Sequence, residues 1–359
     1  MRVSRPQTQV GLANAECEIE RVLIVGLGSI GRRHLALTRD LLPEADIRVL
    51  RRAPDATPPP EASGVFSTLS EALAFGPQLS IVANPAPFHL PIATALAECG
   101  SHLLVEKPLS HASAGVAQLI ALAERLGLRL QLAYNLRFLS SLGIFRKFVQ
   151  DGRVGEVHTV RCEVGQYLPS WRPGKDYRQT VSAQRALGGG VLLELSHELD
   201  YLRWIFGDVA WVEAALLRQG KFEIDVEDSA HLLLGFAAPV ACAPVASLTL
   251  DFIRRDTTRY CLALGSTGSV RWDGISGKVT HYSAERGDWC ELYSPSSLDR
   301  NDTYRLQLEN MLAGIASGEA PPVGGGDGLA VLHLIEAARR SAEDGGRRTR
   351  VGDLSTESR

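Results

Sequence analysis

The sequence predicts an α/β chain, with a doubly wound parallel sheet first and then an α+β domain whose sheet is largely antiparallel. Three observations predict this. From Arg21 onward, short runs rich in Val, Ile and Leu alternate with helical patterns, as in a parallel sheet with right-handed crossovers. The first run leads into GLGSIG and then directly into a helical pattern. Beyond FRKFVQDG the periodicity changes to short, β-branched, alternating runs separated by Gly, Asp, Pro and Ser.

In the first half the predicted strands are RVLIVG, DIRVL, QLSIVA, SHLLVE and LRLQLA, apolar enough to be buried on both faces. The helices between them are IGRRHLALTRDLL, TLSEALAF, LPIATALAECG and SAGVAQLIALAERLG. Ligands of such sheets bind beyond the carboxyl ends of the strands. After the first strand, Gly26, Gly28 and Gly31 form GxGxxG, with Ser29 and Ile30 between the second and third glycines. The first glycine permits a tight turn and the second lets backbone approach a pyrophosphate. The third lets the helix pack closely on the strand, its N-terminus facing the anion. Strand, glycines and helix in that order predict a Rossmann dinucleotide site.

After the second strand come Arg51 and Arg52, where Arg suits a 2′-phosphate and an acid would suit a free 2′-hydroxyl. The pair favours NADP(H) over NAD(H); a solvated strand end is the alternative. After the third, fourth and fifth strands come NPAPFH (Asn84, Pro85, His89), EKP (Glu106, Lys107) and YNLRF (Asn135, Arg137). Polar residues at successive strand ends form one rim.

The stretch YNLRFLSSLGIFRKFVQDG reads as a bridging helix. The predicted strands beyond it are VGEVHTVRCEVGQYL, AWVEAALLRQG, EDSAHLLLGF, ACAPVASLTLDF, RYCLALG and SVRWD. A helix, GGGVLLELSHELDYLRWIF, is inserted after the first of them, and two helices close the chain. At about 100° per residue, Val191, Leu195, Leu199, Leu202 and Phe206 of the inserted helix form one packing stripe. Glu194, His197 and Asp200 lie on the other side, among Leu193, Tyr201, Trp204 and Ile205. Charged groups among aromatic and aliphatic ones suggest a cleft wall, where desolvation tunes pKa values. The loop YLPSWRPGKDYR offers Trp171, Arg172 and Tyr177 as substrate contacts, or else as an interface surface.

The whole composition narrows the function. With 359 residues and a net charge of −3, two ordinary domains fit and a nucleic-acid or anionic-membrane partner is disfavoured. No apolar run approaches the ~20 residues that cross a bilayer. The six cysteines are scattered without CxxC or metal-ligand spacing, so no metal is expected and reduced thiols in the cytoplasm are. The domains are expected at 21–137 and 138–350, with a flexible leader over 1–20 and a tail over 351–359.

GxGxxG, NPAPFH, EKPLS, YNLRF and GGGVLLELSHELD in this order resemble the glucose–fructose oxidoreductase, inositol dehydrogenase and rhizopine-catabolism (Gfo/Idh/MocA) family. The resemblance implies a nicotinamide cofactor, a substrate that is a sugar, sugar nucleotide, inositol or related polyol, and a homo-oligomer, dimer or tetramer. It maps Lys107 onto the family's EKP lysine, His197 onto its helix histidine and Asp200 onto the Asp three residues on. The family's Asp four residues before the histidine is Leu193 here, and the nearest acid is Glu194, three residues before. Residues three apart share a helix face, so Glu194 is expected to orient His197 or hold substrate.

The chemistry fits those residues. Hydride transfer from a carbinol also requires loss of the hydroxyl proton, which a His titrating near neutrality can take. A Lys ammonium stabilises alkoxide character. Lysines number five against thirty-three arginines, so a lysine at EKP marks a place where a compact, titratable amine is wanted. Two other readings stand beside the dehydrogenase: a non-catalytic NAD(P)-binding regulator, and a lyase or glycosidase that oxidises its substrate transiently.

Overall fold

The structure is a computed structural model describing residues 19–52, 57–237 and 244–352. The expected leader and tail lie almost wholly outside the described residues, as do Cys17, Cys242 and part of the proline-rich loop.

The first unit runs β1 (Arg21–Val25), α1 (Ser29–Leu41), β2 (Asp46–Leu50), β3 (Gly64–Phe66), α2 (Leu69–Ala74), β4 (Leu79–Val82), α3 (His89–Glu98), β5 (His102–Val105), α4 (Val116–Arg125) and β6 (Leu130–Leu132). Its six strands are all parallel, in the order β3-β2-β1-β4-β5-β6. Strand order reverses between β1 and β4, so the loops after these two strands flank the crevice where doubly wound sheets bind ligands. Strands β1 and β4 are buried on both faces, as their aliphatic runs require. The sequence reading found every strand but β3, a three-residue, half-buried edge strand too short to show a period.

The second unit begins with α5 (Ser140–Gln150) and β7 (Val157–Gly165), followed by two short helices, α6 (Val191–Glu194) and α7 (His197–Phe206). Then come β8 (Val209–Leu217), β9 (Ser229–Phe236), β10 (Val245–Asp251), β11 (Thr258–Gly265), β12 (Gly268–Asp273), β13 (Lys278–Ser283) and β14 (Asp288–Tyr293). Helices α8 (Arg300–Ser317) and α9 (Gly325–Glu343) and strand β15 (Thr349–Arg350) finish it. The nine-stranded sheet has the order β14-β13-β12-β11-β7-β10-β9-β8-β15, and only β7 and β10 run parallel. Strands β13 and β14 escaped the sequence reading because they are short and polar, with little of either strand fully buried.

Helix α8 crosses the division drawn from the sequence at residue 138. Its Leu308, Met311 and Ile315 are buried in one cluster with Val22, Ile24 and Leu35 of the first unit. Each such burial is worth roughly 1.5–3 kcal/mol, enough to hold the helix there. Gln131 Nε2 donates to the Gln307 carbonyl at 3.0 Å, and Arg305 pairs with Asp40 at 3.0 Å. A segment from the end of the chain thus completes the outer layer of the first unit and brings Tyr304 to the crevice.

Candidate active site

A cleft of about 450 Å³ opens at the switch point, between the glycine loop, the loops after β4 and β5, and the segments around α6 and α7. Gly26, Gly28, Ser29 and Ile30 line it. Gly26 has φ +89°, and a Cβ at Gly31 would collide with the Gly26 carbonyl, so the turn and the close helix–strand contact both require glycine. A Cβ at Gly28 would meet nothing within 4 Å. Open space over backbone at the start of α1 is what a pyrophosphate needs.

Asn84 and Pro85 line the cleft after β4. Among the described residues the Asn84 Oδ1 is buried without a hydrogen-bond partner, an orphan that a bound ligand can satisfy. His89 is buried with its ring nitrogens 2.6 Å from the Asn84 carbonyl and 2.9 Å from the Pro108 carbonyl. Burial pushes its pKa down, so a neutral ring donates to only one of the two carbonyls. It ties the loop after β4 to the loop after β5.

Glu106 accepts from the buried His34 Nε2 at 2.7 Å. Its neighbour Lys107 reaches the other way, and its Nζ donates to the Glu194 backbone carbonyl at 2.7 Å. The sequence reading missed Tyr304 and Arg33, which also line the cleft. The Arg33 guanidinium lies 4.8 Å from the centre of the Tyr304 ring, and His34 meets that ring edge-on. Burial pushes the Tyr304 phenol up to about 12, so it stays a neutral donor. No local motif announces these residues; α8 had to be placed first.

Arg51 and Arg52 stand at the end of β2 but do not line this cleft. The Arg51 Nε is buried without a partner among the described residues, whereas Arg52 lies over the Phe88 ring at 5.7 Å.

The predicted single helix over 191–206 is two helices, broken at Leu195 and Ser196. Leu195 still packs inward, so Val191, Leu195, Leu199 and Leu202 are all buried, and the Phe206 ring meets Phe236 at a tilt. The break changes the polar side. Glu194 ends α6, where its carboxylate accepts from Ser182 Oγ at 2.8 Å, while His197 opens α7. Both line the cleft, yet the shared helix face on which the orienting role rested does not form.

His197 Nδ1 is buried without a partner among the described residues, and the Tyr134 ring meets the imidazole edge-on at 5.6 Å. Burial first, then the charges of Lys107 and Arg259, hold the His197 pKa well below its ordinary value. At neutral pH the imidazole is therefore uncharged and able to accept a proton. Glu198, which follows it, is fully buried and paired with Arg259 at 2.8 Å.

Apart from Arg172, the structure does not bring the remaining candidates into the cleft. Arg137 grips Asp200 with two hydrogen bonds, at 2.9 and 2.6 Å, and also reaches Asp327 at 2.9 Å. Asn135 Nδ2 donates to Thr303 Oγ1 at 2.7 Å. Trp171 Nε1 donates to the Gln166 carbonyl, and its ring meets Phe252 edge-on. The Tyr177 hydroxyl accepts from the Glu223 backbone, and its ring packs on Phe222. Of the loop residues offered as substrate contacts, only Arg172 lines the cleft.

A glycine loop at a sheet's switch point, faced by a Lys–His pair from two units, belongs to the class of dinucleotide-dependent oxidoreductases. The chain is a member of the Gfo/Idh/MocA oxidoreductase family: residues 20–134 match its NAD-binding Rossmann fold and residues 146–350 its C-terminal α/β domain. It is 26% identical to myo-inositol 2-dehydrogenase of Thermotoga maritima over 276 residues, covering 74% of this chain and 77% of that one. It is also 26% identical to D-apiose dehydrogenase of Paraburkholderia graminis over 347 residues, covering 90% of this chain and 87% of that one. In fold it is similar to levoglucosan dehydrogenase in complex with NADH and levoglucosan, with a TM-score of 0.80 at 19% identity, covering 93% of this chain and 99% of the other.

Proposed function

We propose that this oxidoreductase acts on a CH–OH group of a sugar, sugar nucleotide, inositol or similar polyol, with Lys107 and His197 handling the hydroxyl proton. One observation carries the reading: Lys107 from the strand rim and His197 from α7 line the same cleft as the glycine loop. The nicotinamide, when bound, exchanges the hydride. Gly26, Gly28, Ser29, Ile30 and Asn84 supply backbone and the orphaned amide oxygen for the dinucleotide, with Gly31 securing the helix behind them. Lys107 holds the reacting oxygen and stabilises alkoxide character there. His197, kept neutral by its surroundings, accepts the proton in oxidation and returns it in reduction.

For the adenosine end, the partnerless Arg51 Nε favours NADP(H), since a 2′-phosphate would satisfy it. The exposed Leu217 and Leu233 on the large sheet suit a homo-oligomer, dimer or tetramer. The four described cysteines carry free thiols, which suits the cytoplasm, and no helix of the described residues is long and apolar enough to cross a membrane.

The test is a panel of sugars and polyols incubated with NAD+ and with NADP+, following reduced nicotinamide. Substrate-dependent reduction that disappears in Lys107→Met supports the reading. Binding of cofactor without reduction by any substrate favours a regulator, and product formed without net reduction favours transient oxidation.

A further inference from the structure

The charges around the cleft are paired off unevenly. Arginine is the common cation of the substrate half, and several of its arginines are neutralised by carboxylates. Arg137 binds Asp200 and Asp327, Arg178 binds Asp176 and Glu223, and Arg259 binds Glu198. The two carboxylates of the cleft wall are also engaged, Glu106 with His34 and Glu194 with Ser182. Arg172, in the same wall as Lys107 and His197, has no hydrogen bond, ion pair or ring contact from its side chain among the described residues.

Its backbone is nevertheless held on both sides. The Trp171 amide donates to the Leu168 carbonyl at 3.1 Å, and the Trp171 indole is fixed by Gln166 and Phe252. The Lys175 amide donates to the Arg172 carbonyl at 3.1 Å. A half-buried guanidinium on an anchored loop, facing a cleft and left without an anion, is a preformed receptor for one. Nor is it the cofactor's phosphate site: the dinucleotide's anion belongs at the start of α1, where Gly28 and Arg33 stand, whereas Arg172 comes from the segment on the substrate side.

We infer that the substrate is an anionic polyol, whose carboxylate or phosphate is bound by Arg172 while Lys107 and His197 act on one of its hydroxyls. The inference rests on the oxidoreductase reading above and narrows its substrate class. Arg172 then sets specificity and takes no part in the chemical step, so it should act through KM more than through kcat.

The experiment compares gluconate, glucuronate and a hexose phosphate with glucose and myo-inositol, for the wild type, Arg172→Ala and Arg172→Lys. An anionic substrate is expected to have a kcat/KM at least ~10-fold above its neutral counterpart. Arg172→Ala should remove that preference through KM, and Arg172→Lys should keep part of it, because one charge-assisted pair is worth about that factor. The acid and phosphate arms tell which anion is read. Equal or better turnover of neutral polyols, or an anion preference that survives in Arg172→Ala, overturns the inference and leaves the oxidoreductase reading standing. Cofactor binding without reduction by any substrate in the panel overturns both.

Discussion

The Lys107 ammonium donates to the backbone carbonyl of Glu194 at 2.7 Å, joining the strand rim of the first unit to the end of the short helix α6 in the second. The partner is a main-chain atom, so the bond is independent of the Glu194 side chain. It holds the ammonium in the cleft wall that also carries His197, whose charged form it disfavours. The position of the lysine and the protonation state of the histidine are therefore coupled.

Lys107→Met should lower kcat by ~10²-fold or more, the usual cost of losing a group that stabilises developing negative charge, with cofactor affinity nearly unchanged. It should also move His197. Lys107 is a cation that lowers the histidine's pKa, so removing it raises that pKa. An imidazole titration by NMR in the variant should place His197 at higher pH than in the wild type. A shift the other way, or none, would break the coupling between the two residues.

His197→Asn is expected to cost ~10²–10⁴ in kcat, the range for a general acid–base residue, with unfolding behaviour unchanged. Glu194→Gln separates two roles for the neighbouring acid. On a continuous helix the carboxylate would support the imidazolium, and its loss would move the histidine's limb to lower pH. With the carboxylate bound to Ser182 Oγ and the Lys107 bond on the main chain, the kcat/KM profile should instead keep its His197 limb in place. A limb displaced to lower pH in Glu194→Gln would restore the orienting role.

The sequence revealed what depends on local pattern. The glycine loop, the strand ends Asn84 and Lys107, and the packing stripe through Val191 and Leu202 all follow from spacing and period; the loop and the strand ends line one cleft, and the stripe is buried. Tyr304 and Arg33 were hidden because they meet only when a helix from the end of the chain packs on the first unit. The break at Leu195 was hidden for another reason. Both short helices keep their apolar residues inward, so the hydrophobic period runs on through the interruption. Arg137 and Asp200 misled because charged groups beside aromatic ones fit a cleft wall and a buried ion pair alike.

Arg51→Ala should weaken NADP(H) about ten- to a hundredfold in Kd and leave NAD(H) much less affected, as expected for loss of a charge-assisted contact to a 2′-phosphate. Arg52→Ala should do less, since that guanidinium lies over Phe88 and its loss removes a ring contact. Fluorescence titration of both cofactors decides. Equal weakening of NAD(H) and NADP(H) by Arg51→Ala would leave the arginine without a part in selection.

The pair Arg137–Asp200 carries the last prediction, and it concerns stability rather than turnover. Both side chains are almost completely buried, and the guanidinium spans Asp200, Asp327 and the Pro322 carbonyl, joining the rim after β6 to α7 and α9. Removing one partner of a buried pair outright typically costs about 3–5 kcal/mol, and less where the remaining charge keeps other partners, as Arg137 keeps Asp327 and the Pro322 carbonyl. Asp200→Ala should therefore lower the unfolding free energy in denaturant titration, by less than that full amount. Arg137→Ala should cost more, because it leaves the buried Asp200 without its ion-pair partner, while Asp327 keeps Arg203 and the Gly324 amide. If Asp200 were a substrate residue, the same change would raise KM and leave the denaturation midpoint where it was. Measuring both quantities on one preparation separates the roles, and a silent denaturation curve together with a large KM effect would return Asp200 to the substrate site.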